Sequence, residues 1–183
     1  MSSNSSRICF WQNWSAAPNN AMDFSFSRAK VFRFRKIHPL LAEFIRSIPD
    51  TIDPEQLSDE AQTRIFPGVT DEPDLDTMRS EWKAYVEPDL QEHFRSTREV
   101  VVADLKQMTE SKGLLELQIS PAHAEAWLNA LNQARLVLAA DLGFDEKILT
   151  TTEAPDITTE DGSRVFRLNL FAFMQQCLID RMD

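Results

Sequence analysis

The stretch Lys30 to Lys36 reads KVFRFRK, and its apolar and basic positions alternate with period two, which aligns Arg33 and Arg35 on one face opposite Phe32 and Phe34. This alternation predicts a half-buried strand. His38 and Pro39 then open LLAEFIRSI, whose Leu40, Leu41, Phe44, Ile45 and Ile48 recur at helical spacing. Pro39 suits a first helical turn, and Pro49 is expected to close the helix. The same unit recurs later, with LLELQI (Leu114 to Ile119) as the strand and Ser120 and Pro121 as N-cap and first-turn proline. The strands near 30–36 and 114–119 are the natural pairing partners of a small two-stranded sheet.

Helical periodicity dominates the rest. A long helical region runs from Asp74 to about Met108, and Pro88 is expected to break or kink it. Beyond Pro88, Leu90, Phe94, Val101, Leu105 and Met108 fall on one stripe. WLNALNQARLVLAADLG, Trp127 to Gly143, reads as a core helix with Gly143 as its left-handed cap. After a polar connector, a last helix from about Ser163 to Met182 carries Phe166, Leu170, Phe173, Met174 and Cys177 on one face, which Phe171 and Leu178 widen beyond the usual stripe. Such a helix is either central in the monomer or shared with a second copy in a homodimer, with Phe171 and Leu178 then forming an association surface. The expected fold is mainly α with a small two-stranded β-sheet (α+β), a compact helical domain over 29–183 that follows a flexible, aromatic-containing tail over 1–28.

One polar pair interrupts the core helix. On a wheel turning ~100° per residue, Arg135 lands only about 40° from Leu131, inside the apolar face, and Asn132 lies at its edge. A guanidinium keeps its proton, so burying it demands a carboxylate or several carbonyls. Glu87 and Asp104 occupy suitable places on the preceding helix. Two readings follow: a structural ion pair, or a pocket in which Arg135 and Asn132 receive an anionic ligand through arginine's bidentate geometry.

Charge and composition exclude several classes. Among 183 residues the net charge is −10, which opposes general nucleic-acid binding because a phosphate backbone needs cationic neutralisation. The charge is unevenly spread: residues 1–38 carry net +5, from Arg7, Arg28, Lys30, Arg33, Arg35 and Lys36 against Asp23, and the remainder carries net −15. The basic part is read as lying on the chain's own acidic body or reaching an acidic partner. MSSNSSRICFWQNWSAAPNN lacks the apolar run of a secretory peptide, and no window approaches a membrane span, so a cytoplasmic protein without a membrane role is expected. Cys9 and Cys177 are expected as reduced thiols.

Candidate chemistry is sparse. Four glycines fit no nucleophile elbow, Walker loop or dinucleotide fingerprint. His38, His93 and His123 sit in no zinc-type spacing; His38 suits a helix start and the other two are expected to be exposed. No cofactor, metal or catalytic residue is indicated. Trp82 and Trp127 fall on apolar helix faces, whereas Phe10, Trp11 and Trp14 lie in the tail and suggest a docking segment that orders against its own domain or another protein.

The central stretch is similar to the signature W-L-x-x-L-N-x-x-R-L-x-L-x-x-x-L-G of an uncharacterised bacterial family, a domain of unknown function best represented in actinobacteria. Trp127, Leu128, Leu131, Asn132, Arg135, Leu136, Leu138, Leu142 and Gly143 fill it. The resemblance implies a small cytosolic helical protein without an assigned activity or cofactor, often encoded beside the adaptor of the Clp protease and hence near regulated proteolysis. The expected function is a non-catalytic interaction or regulatory protein whose partner the sequence does not name, self-associating through the last helix. The alternative is a small-molecule or anion-binding protein, an enzyme included, built on Arg135 and Asn132.

Overall fold

A computed structural model of the chain describes residues 22–27, 31–66, 76–143 and 155–182. Its elements are β1 (Asp23–Phe26), β2 (Phe32–Ile37), α1 (Pro39–Arg46), α2 (Ile48–Thr51), α3 (Asp59–Ile65), α4 (Asp76–Glu81), a π-helical segment (Trp82–Val86), α5 (Glu87–Lys106), β3 (Thr109–Ser111), β4 (Leu114–Ile119), a 3₁₀ turn (Pro121–His123), α6 (Ala124–Asp141) and α7 (Glu160–Met182). The protein is mainly helical, as its periodicity predicts.

The sheet corrects the expectation of two strands. It has four, all antiparallel, in the order β1-β2-β4-β3. The expected pairing of β2 with β4 forms its centre, matching Phe32 with Ile119 and Phe34 with Leu117. The added strands escape notice for different reasons. In β1, DFSF alternates but sits in the Ser- and Asn-rich stretch read as a tail; its Phe24 and Phe26 stack across the ladder on Phe34 and Phe32, with ring centroids 4.8 and 4.9 Å apart. β3 consists of Thr109, Glu110 and Ser111, all exposed, so it leaves no hydrophobic pattern. Its hairpin turn puts Lys112 and Gly113 at φ 55° and 76°, the two left-handed positions that match strand twist in a tight turn.

Both prolines expected to interrupt helices are accommodated. α1 ends at Ser47, whose N–H reaches the Glu43 and Ile45 carbonyls, and Pro49 enters the first turn of α2, where a missing N–H costs nothing. Pro88 likewise lies in the first turn of α5, and the chain arrives through the π-helical turn Trp82–Val86. The wider π turn makes room where a proline ring would strike the carbonyl four residues back, so the path stays helical.

One core joins the inner sheet face to α1, α5, α6 and α7, with Phe34, Leu117, Ile119, Trp127, Leu131, Phe171 and Met174 fully enclosed. α6 packs chiefly on α7 and also contacts α3 and α5. On its α3 side, Val137 and Ala140 close with Ala61 into a second small cluster. A helix covered on several sides needs apolar or small residues around most of its circumference, and Ala130, Ala134, Ala139 and Ala140 meet that need in α6.

Phe171 and Leu178 are both 0% exposed. The widened face of the last helix is therefore enclosed in the chain's own core at Phe171 and Leu178, in keeping with the reading of that helix as central in the monomer. Among the described residues, no helix is long and apolar enough to cross a membrane.

Candidate functional site

A polar cluster built on a buried carboxylate gathers at the junction of α5 with the turn into α6. Asp104 lies in the last turn of α5 on the side facing α6, and Gln107 ends that helix by returning its N–H to the Asp104 and Leu105 carbonyls. The β3–β4 hairpin then brings the chain back to Pro121–His123. His123 and Trp127 are four residues apart at the start of α6, so both side chains project to one side.

Both meet Asp104. Trp127 Nε1 donates to Asp104 Oδ2 at 2.8 Å, and His123 Nδ1 lies 2.9 and 3.1 Å from the two carboxylate oxygens. An ionised carboxylate only accepts, so the imidazole carries a proton on Nδ1. The Trp127 and Asp104 side chains are buried, while that of His123 is 38% exposed. A carboxylate accepting from an indole and an imidazole locks the end of α5 to the start of α6 and fixes the imidazole plane. His123 is thus a bonded member of this junction, where the sequence suggested simple exposure. Its signal was the four-residue spacing to Trp127, because a buried indole N–H needs an acceptor.

The sequence-named residues separate. Asp104 is committed to Trp127 and His123, and Glu87 is half-buried with its Oε1 accepting from Gln91 Nε2 at 3.3 Å one turn along α5. Neither acid ends on Arg135. That side chain is half-buried, with Nη1 donating to Gln175 Oε1 of α7, a hydrogen bond joining the two central helices. Asn132 is exposed on α6. Phe171 and Leu178 are in the core, and Phe10, Trp11 and Trp14 lie outside the described residues. His38 caps α1, its Nδ1 accepting from the Leu40 N–H at 3.3 Å.

Arg98 is a clasp that sequence reasoning missed. Its Nε donates to the Pro49 carbonyl at 2.8 Å and its Nη2 to Asp53 Oδ2 at 3.0 Å, with Asp50 Oδ1 at 3.9 Å, which ties α5 to α2. Its partners lie far back in the sequence, in a turn without periodicity. A surface hollow of about 480 Å³ adjoins it, lined by Arg98, Glu99, Val102, Ala103, Lys106 and Gln107. Five belong to α5 and Gln107 caps it, so no second element brings chemistry to it. Among the described residues no three His, Cys, Asp or Glu side chains are placed to hold a metal ion. Burial pushes the Cys177 thiol up to about 12, with Asp180 adding to the rise and Arg181 opposing it.

No curated protein and no solved structure matches the chain. A family model does match, over residues 33–182, a span that runs from within β2 to the end of α7. By that match the chain belongs to the family described as Domain of unknown function (DUF2017).

Proposed function

We propose that the protein is a non-catalytic interaction or regulatory domain that works by binding another protein. The observation that carries this reading is that the polar side chains set between the helices bond within the fold: Asp104 with Trp127 and His123, Arg135 with Gln175, Arg98 with the Pro49 carbonyl and Asp53. Groups bound in this way hold helices together. At the surface, Phe26, Leu40, Met78 and Tyr85 are exposed, Tyr85 to 74%, and exposed aromatic and Met side chains are the types enriched at protein interfaces. The resemblance of Trp127–Gly143 to an actinobacterial signature makes regulated proteolysis the setting in which a partner is sought first.

Affinity capture from the source lysate tests this, using the full chain and a chain lacking residues 1–21. That deletion spares β1, which a cut at residue 28 would remove. One captured protein should rebuild a stoichiometric complex from purified components. Capture of no protein, together with a small molecule that stabilises wild type but not Arg135→Ala, would favour the ligand-binding alternative.

A second reading rests on one observation. A buried carboxylate orienting a part-exposed imidazole through Nδ1 is the arrangement that prepares a general base. Among the described residues, however, no Ser, Thr or Cys side chain is hydrogen-bonded to His123. Loss of a measured hydrolytic activity in His123→Ala, with folding intact, is the result that would promote this reading.

A further inference from the structure

The helices pack on one face of the sheet, through Phe32, Phe34, Leu117 and Ile119. The pairing register places Asp23, Ser25, Arg33, Arg35, Glu116 and Gln118 on the other. In this row Arg33 sits centrally, between Ser25 of β1 and Gln118 of β4. Its neighbours do not satisfy it. Gln118 Nε2 donates to Glu116 Oε1 at 2.8 Å, and the Arg33 Nε is enclosed without a hydrogen-bond partner among the described residues. Lys36 occupies Asp23 at 2.8 Å from a bulged, left-handed position. Arg35 is exposed, and no described acid is paired with it. Two arginines therefore stand on one face of one strand, with a backbone rise of about 6.6 Å between them, and the nearby Asp23 is already taken.

We propose that this outer sheet face, through Arg33 and Arg35, docks an extended acidic segment of a partner protein with carboxylates at alternate positions. The inference rests on the interaction reading above and names the chemistry of its partner. Three facts select this occupant. An extended chain repeats its side chains on one face at the spacing of Arg33 and Arg35. A guanidinium fork binds a carboxylate through two parallel hydrogen bonds, and among the described residues Lys36 holds Asp23 while no acid is paired with Arg33 or Arg35. The chain's net charge of −10 excludes a polyanion needing a broad cationic track, whereas a short acidic segment needs only this local pair, because charges more than roughly 8 Å away are largely screened at physiological salt.

Fluorescence anisotropy with a labelled peptide of alternating Glu and Thr tests the proposal on the full chain, beside a Lys–Thr control. The Glu–Thr peptide should bind saturably, more weakly as salt rises. Arg33→Gln with Arg35→Gln should lower the affinity at least about tenfold, the loss of one strong interaction. Arg33→Lys should recover only part of it, because charge returns without the fork. Circular dichroism melting checks that each variant folds. Absence of saturable binding to wild type, equal binding by the double variant, or equal binding of the Lys–Thr peptide overturns the proposal. So does a wild-type self-association that the double variant abolishes, since the occupant is then a second copy. If the double variant still holds a partner identified by capture, the docking face is wrong while the interaction reading stands.

Discussion

Replacing Asp104 with alanine removes one carboxylate and strands two donors, one of them the fully buried Trp127 Nε1. An enclosed N–H without an acceptor costs about 1–3 kcal/mol, and hydrogen bonds to a charged group contribute roughly 1.5–3 kcal/mol. One effect runs the other way: Asp104 lies near the C-terminus of α5, where a negative charge opposes the helix dipole, so its removal returns about 0.3–1 kcal/mol. The losses win, for a net destabilisation of about 2–3 kcal/mol. For a chain of this size that is a fall in Tm of roughly 4–12 °C. Urea unfolding of wild type, Asp104→Ala, Trp127→Phe and the double variant measures it as a cycle. Trp127→Phe removes the donor, so Asp104→Ala should cost at least about 1 kcal/mol less in that background. A single-variant cost below about 0.5 kcal/mol, or strict additivity, would refute a bond-driven junction.

Other consequences are open to simpler measurements. Phe171→Ala empties a fully enclosed core position and should lower stability by about 3–5 kcal/mol in urea unfolding. Gly162→Ala places a methyl 2.0 Å from the Asp156 carbonyl oxygen, so the first turn of α7 should rearrange, read as faster amide exchange around residues 160–166. Arg98→Ala frees α2 from α5, and because the arginine side chain is about one-third exposed the cost should be near ~1 kcal/mol. The folded Cys177 thiol titrates near 12 against a usual 9.0, so its contribution to stability is intact below about pH 9 and is lost as pH rises toward 12. Alkylation of Cys177 should accordingly be slow at pH 8 in the folded chain and fast in urea.

Elements with a strong period were legible in the sequence. β2 and β4 lie where alternation put them, and Gly143 takes the left-handed φ of 63° expected of a cap. β1 and β3 were not legible, because one is set in a polar stretch and the other is three exposed residues held by a turn whose first position is Lys112 in place of the commoner Asn or Asp. The expected breaks at Pro49 and Pro88 became helix beginnings, since a proline alone does not say on which side of it a helix lies.

The candidate site was legible in part. The helical wheel offers both Glu87 and Asp104 to Arg135, whereas Asp104 is taken by the indole N–H of Trp127, a neutral donor that a reading by charge passes over. A helical wheel gives direction without reach. Gln175, which accepts from Arg135, comes from a helix 40 residues along the chain, and nothing local links the two.

The central claim is that Asp104 joins α5 to α6 through a buried bond to Trp127, making these polar groups structural. Hydrogen exchange at the Trp127 indole N–H, assigned by its absence in Trp127→Phe, tests it most directly. The indole proton should exchange only through global unfolding, with the same free energy and urea dependence as the slowest core amides. Rapid exchange, independent of urea, would contradict the account.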